Sequence, residues 1–401
     1  MRQKIISEDR PLCYHNPVPG TGWSFVEGEI EKIYGSAFVG GNSVQLLYRD
    51  REAFRSIFDS IREAKEIICL EFYIYRNDET GTELAELLKE KASGGVRVHL
   101  LYDHLGSFGT PRRFWSGLRR AGVQVRASRP FKWFSPVEYI HRDHRKLLVV
   151  DGHTAFTGGL NIANEYRGLH LRKLEPWRDT GIMIRGPAAL ALMETFKKAW
   201  LASRGENFEH RAGAVAEMGS LPVIPIFAHS SRGRRRMRRL LYYSINHAAR
   251  DIYLTTAYFT PSRRMIETLE EAVKRGVRVR LLVPGESDVL AAHYAGRSSF
   301  TRLLRAGVEI YNYMGKVLHA KTYIFDGCWS VVGSANLDFQ SLRWNDEGNV
   351  GILDSGFAEE MVKLFHEDVK HSVKIEIAGW LQRSWCEKAK ERFFRTFRRR
   401  L

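Results

Sequence analysis

One short pattern occurs twice in this chain: His144-x-Lys146 followed by Asp151, and His319-x-Lys321 followed by Asp326. At matching offsets each copy runs on to small residues and an asparagine, giving Gly158, Gly159 and Asn161 in the first and Gly333, Ser334 and Asn336 in the second. A fold keeps a single histidine for many reasons. Two His-x-Lys pairs in register constrain it far more, to related lobes that build one site with two imidazoles and two ammonium groups around a shared anion.

The residues around each copy suggest how the pairs are presented. The runs from His144 to Val150 and from His319 to Phe325 are apolar and β-branched enough to read as strands, where side chains two apart share a face. Histidine and lysine of each pair are thus expected to project together. Asp151-Gly152 and Asp326-Gly327 follow at once, and Asp-Gly between strand-like runs is a strong hairpin signal. The two aspartates have two readings, as turn formers or as participants in chemistry, and the sequence leaves both open. The glycines closing each return strand would let backbone approach an anion closely.

The repeat extends upstream of the motifs. Ala64-Lys-Glu-Ile-Ile-Cys-Leu-Glu-Phe-Tyr73 parallels Ala249-Arg-Asp-Ile-Tyr-Leu-Thr-Thr-Ala-Tyr258, and Arg120-Ala-Gly-Val parallels Arg305-Ala-Gly-Val. Apolar residues at three- and four-residue spacing predict helices over 82–92 and 262–275. Alternating strands and helices predict an α/β fold of two homologous lobes, each a largely parallel β-sheet flanked by helices, sharing one active site at their interface. The expected divisions are an N-terminal extension (1–40), a first lobe (41–204), a linker rich in Gly, Pro and Ser (205–232), a second lobe (233–370) and a tail (371–401).

A formal charge of +16 points to an anionic partner: nucleic acid, acidic membrane or polyphosphate. No uninterrupted apolar run approaches the ~18 residues of a membrane span, and the first residues lack a secretory stretch, so a lipid substrate would be reached from the surface. The four cysteines are scattered, which indicates neither a zinc site nor a disulfide framework and fits reduced thiols in a cytosolic setting. In the tail, Ile377, Leu381, Trp385, Ala389, Phe393, Phe397 and Leu401 recur every fourth residue among many Lys and Arg. That composition predicts a basic amphipathic helix lying on an anionic membrane surface, with a terminal helix docked on the body as the plain alternative. The first lobe also has a longer approach to its histidine, Phe131 to Ile140. Its aromatics and Lys132 suit a lipid interface, stacking on bases, or a packed loop. The run Arg232 to Arg239 is more ambiguous than the tail, because it opens the first helix of the second lobe and its solvated face is one reading.

The doubled pattern resembles the catalytic motif of the phospholipase D superfamily, His-x-Lys-x4-Asp-x6-Gly-Gly/Ser-x-Asn, matched twice without a gap. Leu70-Glu-Phe-Tyr-Ile-Tyr75, Tyr102-Asp-His-Leu-Gly-Ser107, His141-Arg-Asp-His-Arg-Lys146, Phe156-Thr-Gly-Gly-Leu-Asn161 and Trp177-Arg-Asp179 resemble the bacterial cardiolipin synthases, of the type without an N-terminal membrane anchor. The resemblance covers roughly residues 40 to 370. It implies a phosphatidyltransferase that acts on phosphatidylglycerol or a related phospholipid without cofactor or metal, peripheral to the cytoplasmic face of the cell membrane. Superfamily nucleases share the motif, so nucleic acid is the alternative substrate, disfavoured by the aromatic tail. A catalytically inert membrane binder is a third reading, against which two complete motifs stand.

A phosphodiester repels nucleophiles, and its pentacoordinate transition state concentrates further charge. Lys146 and Lys321 suit its neutralisation, with Asn161, Asn336 and Ser334 as hydrogen-bond donors. By resemblance, one histidine attacks phosphorus to form a phosphohistidine, while the other protonates the departing alcohol and deprotonates the incoming one. His144 is assigned as nucleophile and His319 as acid/base, with Asp151 and Asp326 completing each copy. Glu347 stands where the superfamily commonly has the carboxylate that orients a histidine. Asp179 is the candidate in the other lobe, an exposed ion pair with Arg178 being its plain alternative. Gly159 offers one hydroxyl fewer than Ser334. His141 and His144, three apart on a strand, would face opposite sides, and no carboxylate–histidine set completes a metal shell.

Overall fold

The computed structural model describes residues 25–131, 133, 141–169, 174–210 and 215–398. The expectations for the first residues, for most of the 131–140 loop and for Leu401 lie outside them. Fifteen strands form one continuous sheet: β1 (Val39–Leu47), β2 (Ile67–Phe72), β3 (Arg97–Asp103), β4 (Gln124–Ser128), β5 (Lys146–Val150), β6 (Thr154–Gly158), β7 (Gly181–Arg185), β8 (Leu221–Ala228), β9 (Asp251–Thr255), β10 (Arg278–Pro284), β11 (Glu309–Tyr313), β12 (Thr322–Phe325), β13 (Trp329–Gly333), β14 (Glu347–Leu353) and β15 (Ser372–Lys374). Their order is β15-β11-β10-β9-β12-β13-β14-β8-β1-β7-β6-β5-β2-β3-β4. Apart from β15 it is palindromic about the β8–β1 seam, with β2 matching β9, β5 matching β12 and β7 matching β14.

Only β2-β3-β4 and β9-β10-β11 run parallel; the remaining pairs are antiparallel. The largely parallel sheets expected from the alternating pattern are therefore mixed sheets. Parallel neighbours need helical crossovers, which each lobe has at its outer strands, whereas the His-x-Lys hairpins bring antiparallel strands into the middle.

Two strands fall outside the expected lobes. β8 lies in the stretch 205–232 read as linker, where Pro222 and Pro225 disguise it, since proline argues against a central strand. Its ladder to β1 holds only at Val39–Val223 and Asn42–Leu221, so on that side β8 behaves almost as an edge. At the other end, β15 extends β11.

Helices cover both faces. One core cluster fills each lobe on one side of the sheet, and a third lies on the opposite side, joining helix Pro187–Ala202 of the first lobe to helix Ser355–Lys370 of the second. The run Arg232 to Arg239 opens helix Ser231–His247 but is not simply solvated: Arg234 pairs with Asp346 at 2.9 Å and Arg238 donates to the Leu342 carbonyl. Within the N-terminal extension, helix Glu27–Tyr34 buries Ile30 and Tyr34 in the second lobe's core.

The tail is broken where a continuous helix was expected. Helix Ile377–Leu381 ends, and Ser384 starts helix Trp385–Arg395 by accepting a hydrogen bond from the Glu387 amide. Ser384-Trp-Cys-Glu387 has the spacing of a capping box, which outweighs the fourfold apolar period that bridges the break. No described helix is long and apolar enough to cross a membrane.

Candidate active site

Both His-x-Lys pairs sit at the entrance to a central strand, just before β5 and β12, at the seam between lobes. His144 and His319 line one cavity of about 380 Å³ together with Asn161 and Asn336. Each histidine is fixed by the opposite lobe. The His144 amide donates to the Asp346 carbonyl (2.9 Å) and the His319 amide to the Arg178 carbonyl (2.7 Å). The residue after each of those carbonyls supplies the carboxylate: Glu347 Oε2 lies 3.1 Å from His144 Nδ1, and Asp179 Oδ2 lies 2.6 Å from His319 Nδ1. A carboxylate can only accept, so each Nδ1 carries the proton and each Nε2 keeps its lone pair. Lys321 Nζ also approaches His319 Nδ1, at 2.8 Å. The anionic oxygen, closer still, accepts that N–H, since an ammonium has no lone pair with which to do so.

Both lysines are buried. Lys146 Nζ donates to the His144 carbonyl (2.6 Å) and Lys321 Nζ to the His319 carbonyl, so each ammonium is held against the backbone of its own histidine. Burial pushes Lys146 down to about 7 and Lys321 down to about 8, the neighbouring carboxylates opposing it. Burial also lowers both histidines, reinforced by the adjacent lysines; His319 falls to about 4. Burial thus disfavours the cationic forms of all four groups, and the charge of a phosphodiester beside them would favour those forms.

The carboxylates are not held alike. Ser334 Oγ donates to Glu347 Oε2 at 2.5 Å and accepts from the Gly348 amide at 3.0 Å. Ser334 is therefore committed to Glu347 and fully buried, rather than turned toward a phosphate as expected. A Cβ at the equivalent Gly159 would stand 2.0 Å from Asp179 Oδ1, and one at Gly158 would strike the backbone of Gly181 and Thr180. These glycines make room for β7 and for Asp179, not for an anion. Asp179 is fully buried, and the ion pair considered for Arg178 goes elsewhere, to Asp368 at 2.7 Å.

Asp151 and Asp326 are not brought to the cavity. Each sits at positive φ beside a positive-φ glycine, in the hairpin loops 151–153 and 326–328. The Asp151 carboxylate accepts from the amides of Lys65, Glu66 and Ile67, and that of Asp326 from Ala249, Arg250 and Asp251. Charge-assisted bonds of this kind contribute on the order of 1.5–3 kcal/mol each. They clip the hairpin to the start of β2 or β9, at the end of the sheet away from the histidines.

Asn161 and Asn336 do reach the cavity wall. Their Oδ1 atoms accept from the amides of Ile74 and Tyr258, and Asn161 Nδ2 donates to the Tyr166 hydroxyl, leaving a second N–H for a ligand. Sequence reasoning missed the aromatic walls. Tyr73 packs edge-on against His144 at 4.8 Å, and Tyr166 and Trp177 lie 5.3 and 5.6 Å from His319. A signal existed, since Tyr73 and Tyr258 occupy the same place in the upstream repeat and both line the cavity. His141 Nδ1 bonds the Trp344 carbonyl at 2.8 Å. Among the described residues no group of three His, Cys, Asp or Glu is placed to hold a metal ion.

Two pseudo-symmetric lobes that cross-brace a histidine pair over buried lysines define the phospholipase D architecture, and the comparisons with known proteins agree. The family described as "Cardiolipin synthase, PLD-like domain" matches residues 57–200 and 241–369. The chain is 34% identical over 343 residues to cardiolipin synthase A of Pseudomonas putida, covering 83% of this chain and 70% of that protein. It is 35% identical to the cardiolipin synthase of Geobacillus kaustophilus, covering 84% and 68%. Among solved structures, phosphatidylserine synthase of Haemophilus influenzae shares the fold with a TM-score of 0.71 at 15% identity, over 92% of this chain and 97% of that one. The chain belongs to the phospholipase D superfamily and, within it, to the cardiolipin synthase-like phosphatidyltransferases.

Proposed function

We propose that the enzyme moves a phosphatidyl group from phosphatidylglycerol, or a closely related phospholipid, onto a hydroxyl of a second lipid, making cardiolipin. The observation that carries this reading is the pair of crossed His–carboxylate contacts, which leave a lone-pair nitrogen on each of two histidines lining one cavity, each with a buried ammonium bonded to its backbone. An arriving phosphodiester anion raises the proton affinity of both lysines and of His319, whose Nε2 takes up a proton from solvent as the substrate binds. His144 Nε2 then attacks phosphorus, and the P–O bond to the departing glycerol breaks as His319 delivers a proton to that oxygen. In the second half-reaction His319 takes the proton from the acceptor hydroxyl, whose oxygen displaces His144. Lys146, Lys321 and the asparagine amides carry the charge on the non-bridging oxygens. Water in place of the lipid alcohol gives phosphatidic acid as a side product. The enzyme works as a peripheral protein on the cytoplasmic face of an anionic membrane.

The test is to incubate the purified protein with phosphatidylglycerol in mixed micelles and, separately, with single- and double-stranded DNA, and to identify products by mass spectrometry. Cardiolipin and glycerol are expected, with DNA intact. EDTA should leave the rate unchanged, because the lysines supply the charge neutralisation that metals give other phosphodiesterases. Cleavage of DNA without lipid transfer, or loss of activity on chelation with recovery on adding one metal back, would overturn the proposal.

A further inference from the structure

Helix Trp385–Arg395 docks on the body in the orientation opposite to that of an ordinary amphipathic helix. Its inward stripe is acidic. Glu391 is buried and accepts from Arg297 Nε (3.2 Å) and from both Arg383 Nε and its terminal nitrogen (3.0 and 2.6 Å), and Glu387 takes a second bond from Arg297 at 3.1 Å. Phe394 adds a stacked contact with Tyr294. The remaining aromatics point away from the protein: Trp385 is 80% exposed, Phe393 59% and Phe397 42%. Exposed Lys388, Arg392 and Arg395 lie among them.

A helix that only capped the second lobe would bury its aromatics and leave its glutamates in water. Here the burial is inverted, and the outer face has apolar rings eight and four residues apart interleaved with cations. That is the composition of a helix lying in a lipid interface, and the cations complement anionic headgroups. The helix is also tied to the catalytic site. It packs on helix Leu290–Arg297, whose first turn supplies Ala292 to the cavity, with Val289 just before it. Between these two, Leu290 is 65% exposed. Phe108, 75% exposed, follows β3 at the end of the sheet from which Tyr73 enters the cavity.

We propose that the outward face of helix Trp385–Arg395 seats the enzyme in an anionic bilayer, and that the Arg297–Glu391–Arg383 cluster holds this face in fixed register with the cavity mouth. The proposal rests on the phospholipid-substrate reading of the site and specifies how that substrate is met. Truncation of the tail would not isolate the outward face. Trp380 belongs to the second lobe's core, and its ring lies under the Arg297 and Arg383 guanidinium groups, so truncation would damage the body.

The test uses the full chain with Trp385, Phe393 and Phe397 all changed to Ser, and a second variant with Lys388, Arg392 and Arg395 changed to Gln. Partitioning is measured by flotation with phosphatidylcholine vesicles containing phosphatidylglycerol, at low and high salt, and oligomeric state by light scattering. The aromatic variant should lose partitioning by about tenfold or more at both salt concentrations, and the charge variant should lose it chiefly at low salt, where unscreened attraction counts most. Both should retain wild-type turnover of a short-chain soluble phosphodiester, which also certifies their fold. Equal flotation of wild type and aromatic variant would overturn the proposal. So would a wild-type dimer that the aromatic variant converts to monomer without loss of flotation, which would make the face a contact between copies. Failure of the substrate reading would appear separately, as absence of lipid transfer by wild type in mixed micelles.

Discussion

The two halves of the site use the same topology with different chemistry at equivalent places. In the first lobe, Arg178 and Asp179 lead into β7; in the second, Asp346 and Glu347 lead into β14. Arg178 is satisfied by Asp368, whereas Asp346 carries the reverse charge and is met by Arg129 and Arg234. Asp179 is short, approaches His319 to 2.6 Å and leaves no space for a Cβ at position 159. Glu347 is one methylene longer, stands 3.1 Å from His144 and has Ser334 filling the equivalent space. The Gly/Ser difference between the two motifs thus follows from carboxylate length. It also leaves the imidazoles inequivalent, with His319 held by a short carboxylate contact and His144 by a longer one shared with a hydroxyl.

The largest effect should come from removing either imidazole. His144→Ala and His319→Ala are each expected to lower kcat by more than about a thousandfold, since nucleophilic and acid/base roles cannot be merged. With a substrate bearing a good leaving group, His319→Ala should still accumulate phosphoenzyme, detectable by intact-mass spectrometry. If His144→Ala is the variant that does so, the two halves have exchanged roles.

Next come the carboxylates. By analogy with other oriented histidines, Asp179→Asn should lower kcat by about a thousandfold, and Glu347→Gln by roughly a hundredfold because Ser334 still helps to position the side chain. Equal losses would mean that the difference between 2.6 and 3.1 Å has no functional weight.

The pH dependence separates the two lysines. Each must be cationic, so kcat/KM should fall as pH rises through about 7, where Lys146 begins to lose its proton, and about 8, where Lys321 follows. The acid limb has the opposite sign, because the attacking His144 must be neutral and burial keeps it below its ordinary value. Lys146→Arg, which cannot deprotonate in this range, should move the alkaline limb upward while lowering the maximum. An unchanged limb would place the titration elsewhere.

The smallest expected effect is also the most specific. Gly159→Ser should cost about 1–3 kcal/mol of stability through overpacking against Asp179, read as a lowered Tm, and most of the activity. Ser334→Gly should lower kcat by under about tenfold. Comparable losses in both would remove carboxylate length as the reason for the mismatch.

Much of this arrangement is legible in the sequence because the motif encodes geometry at short range: the two-residue spacing of His and Lys, the Asp-Gly loops and the parallel upstream segments. The fate of Asp151 and Asp326 is not, since a turn-forming aspartate and a reacting one look alike until the amides of 65–67 or 249–251 are seen to converge on the carboxylate. Ser334 is misjudged for a similar reason, because a hydroxyl in a phosphate motif does not announce that a buried glutamate will claim it. β8 is hidden by its prolines. In the tail, periodicity reveals two faces but not which one docks, a choice made by Arg297 and Arg383 from far along the chain or across a helix break.

The size of the cavity has a consequence for what the enzyme can discriminate. At about 380 Å³ it lies toward the small end of ligand pockets, which run to about 1,000 Å³. A phosphate and its headgroup alcohol fit such a space, whereas diacyl tails do not, and two whole lipids fit even less. On the proposed reading, donor and acceptor headgroups visit the cavity in turn, the released glycerol making way before the second lipid arrives, which is ping-pong order. Among the described residues this cavity gives chain length and unsaturation nothing to be measured against, so on the proposed reading the fatty-acid makeup of the product follows that of the surrounding leaflet.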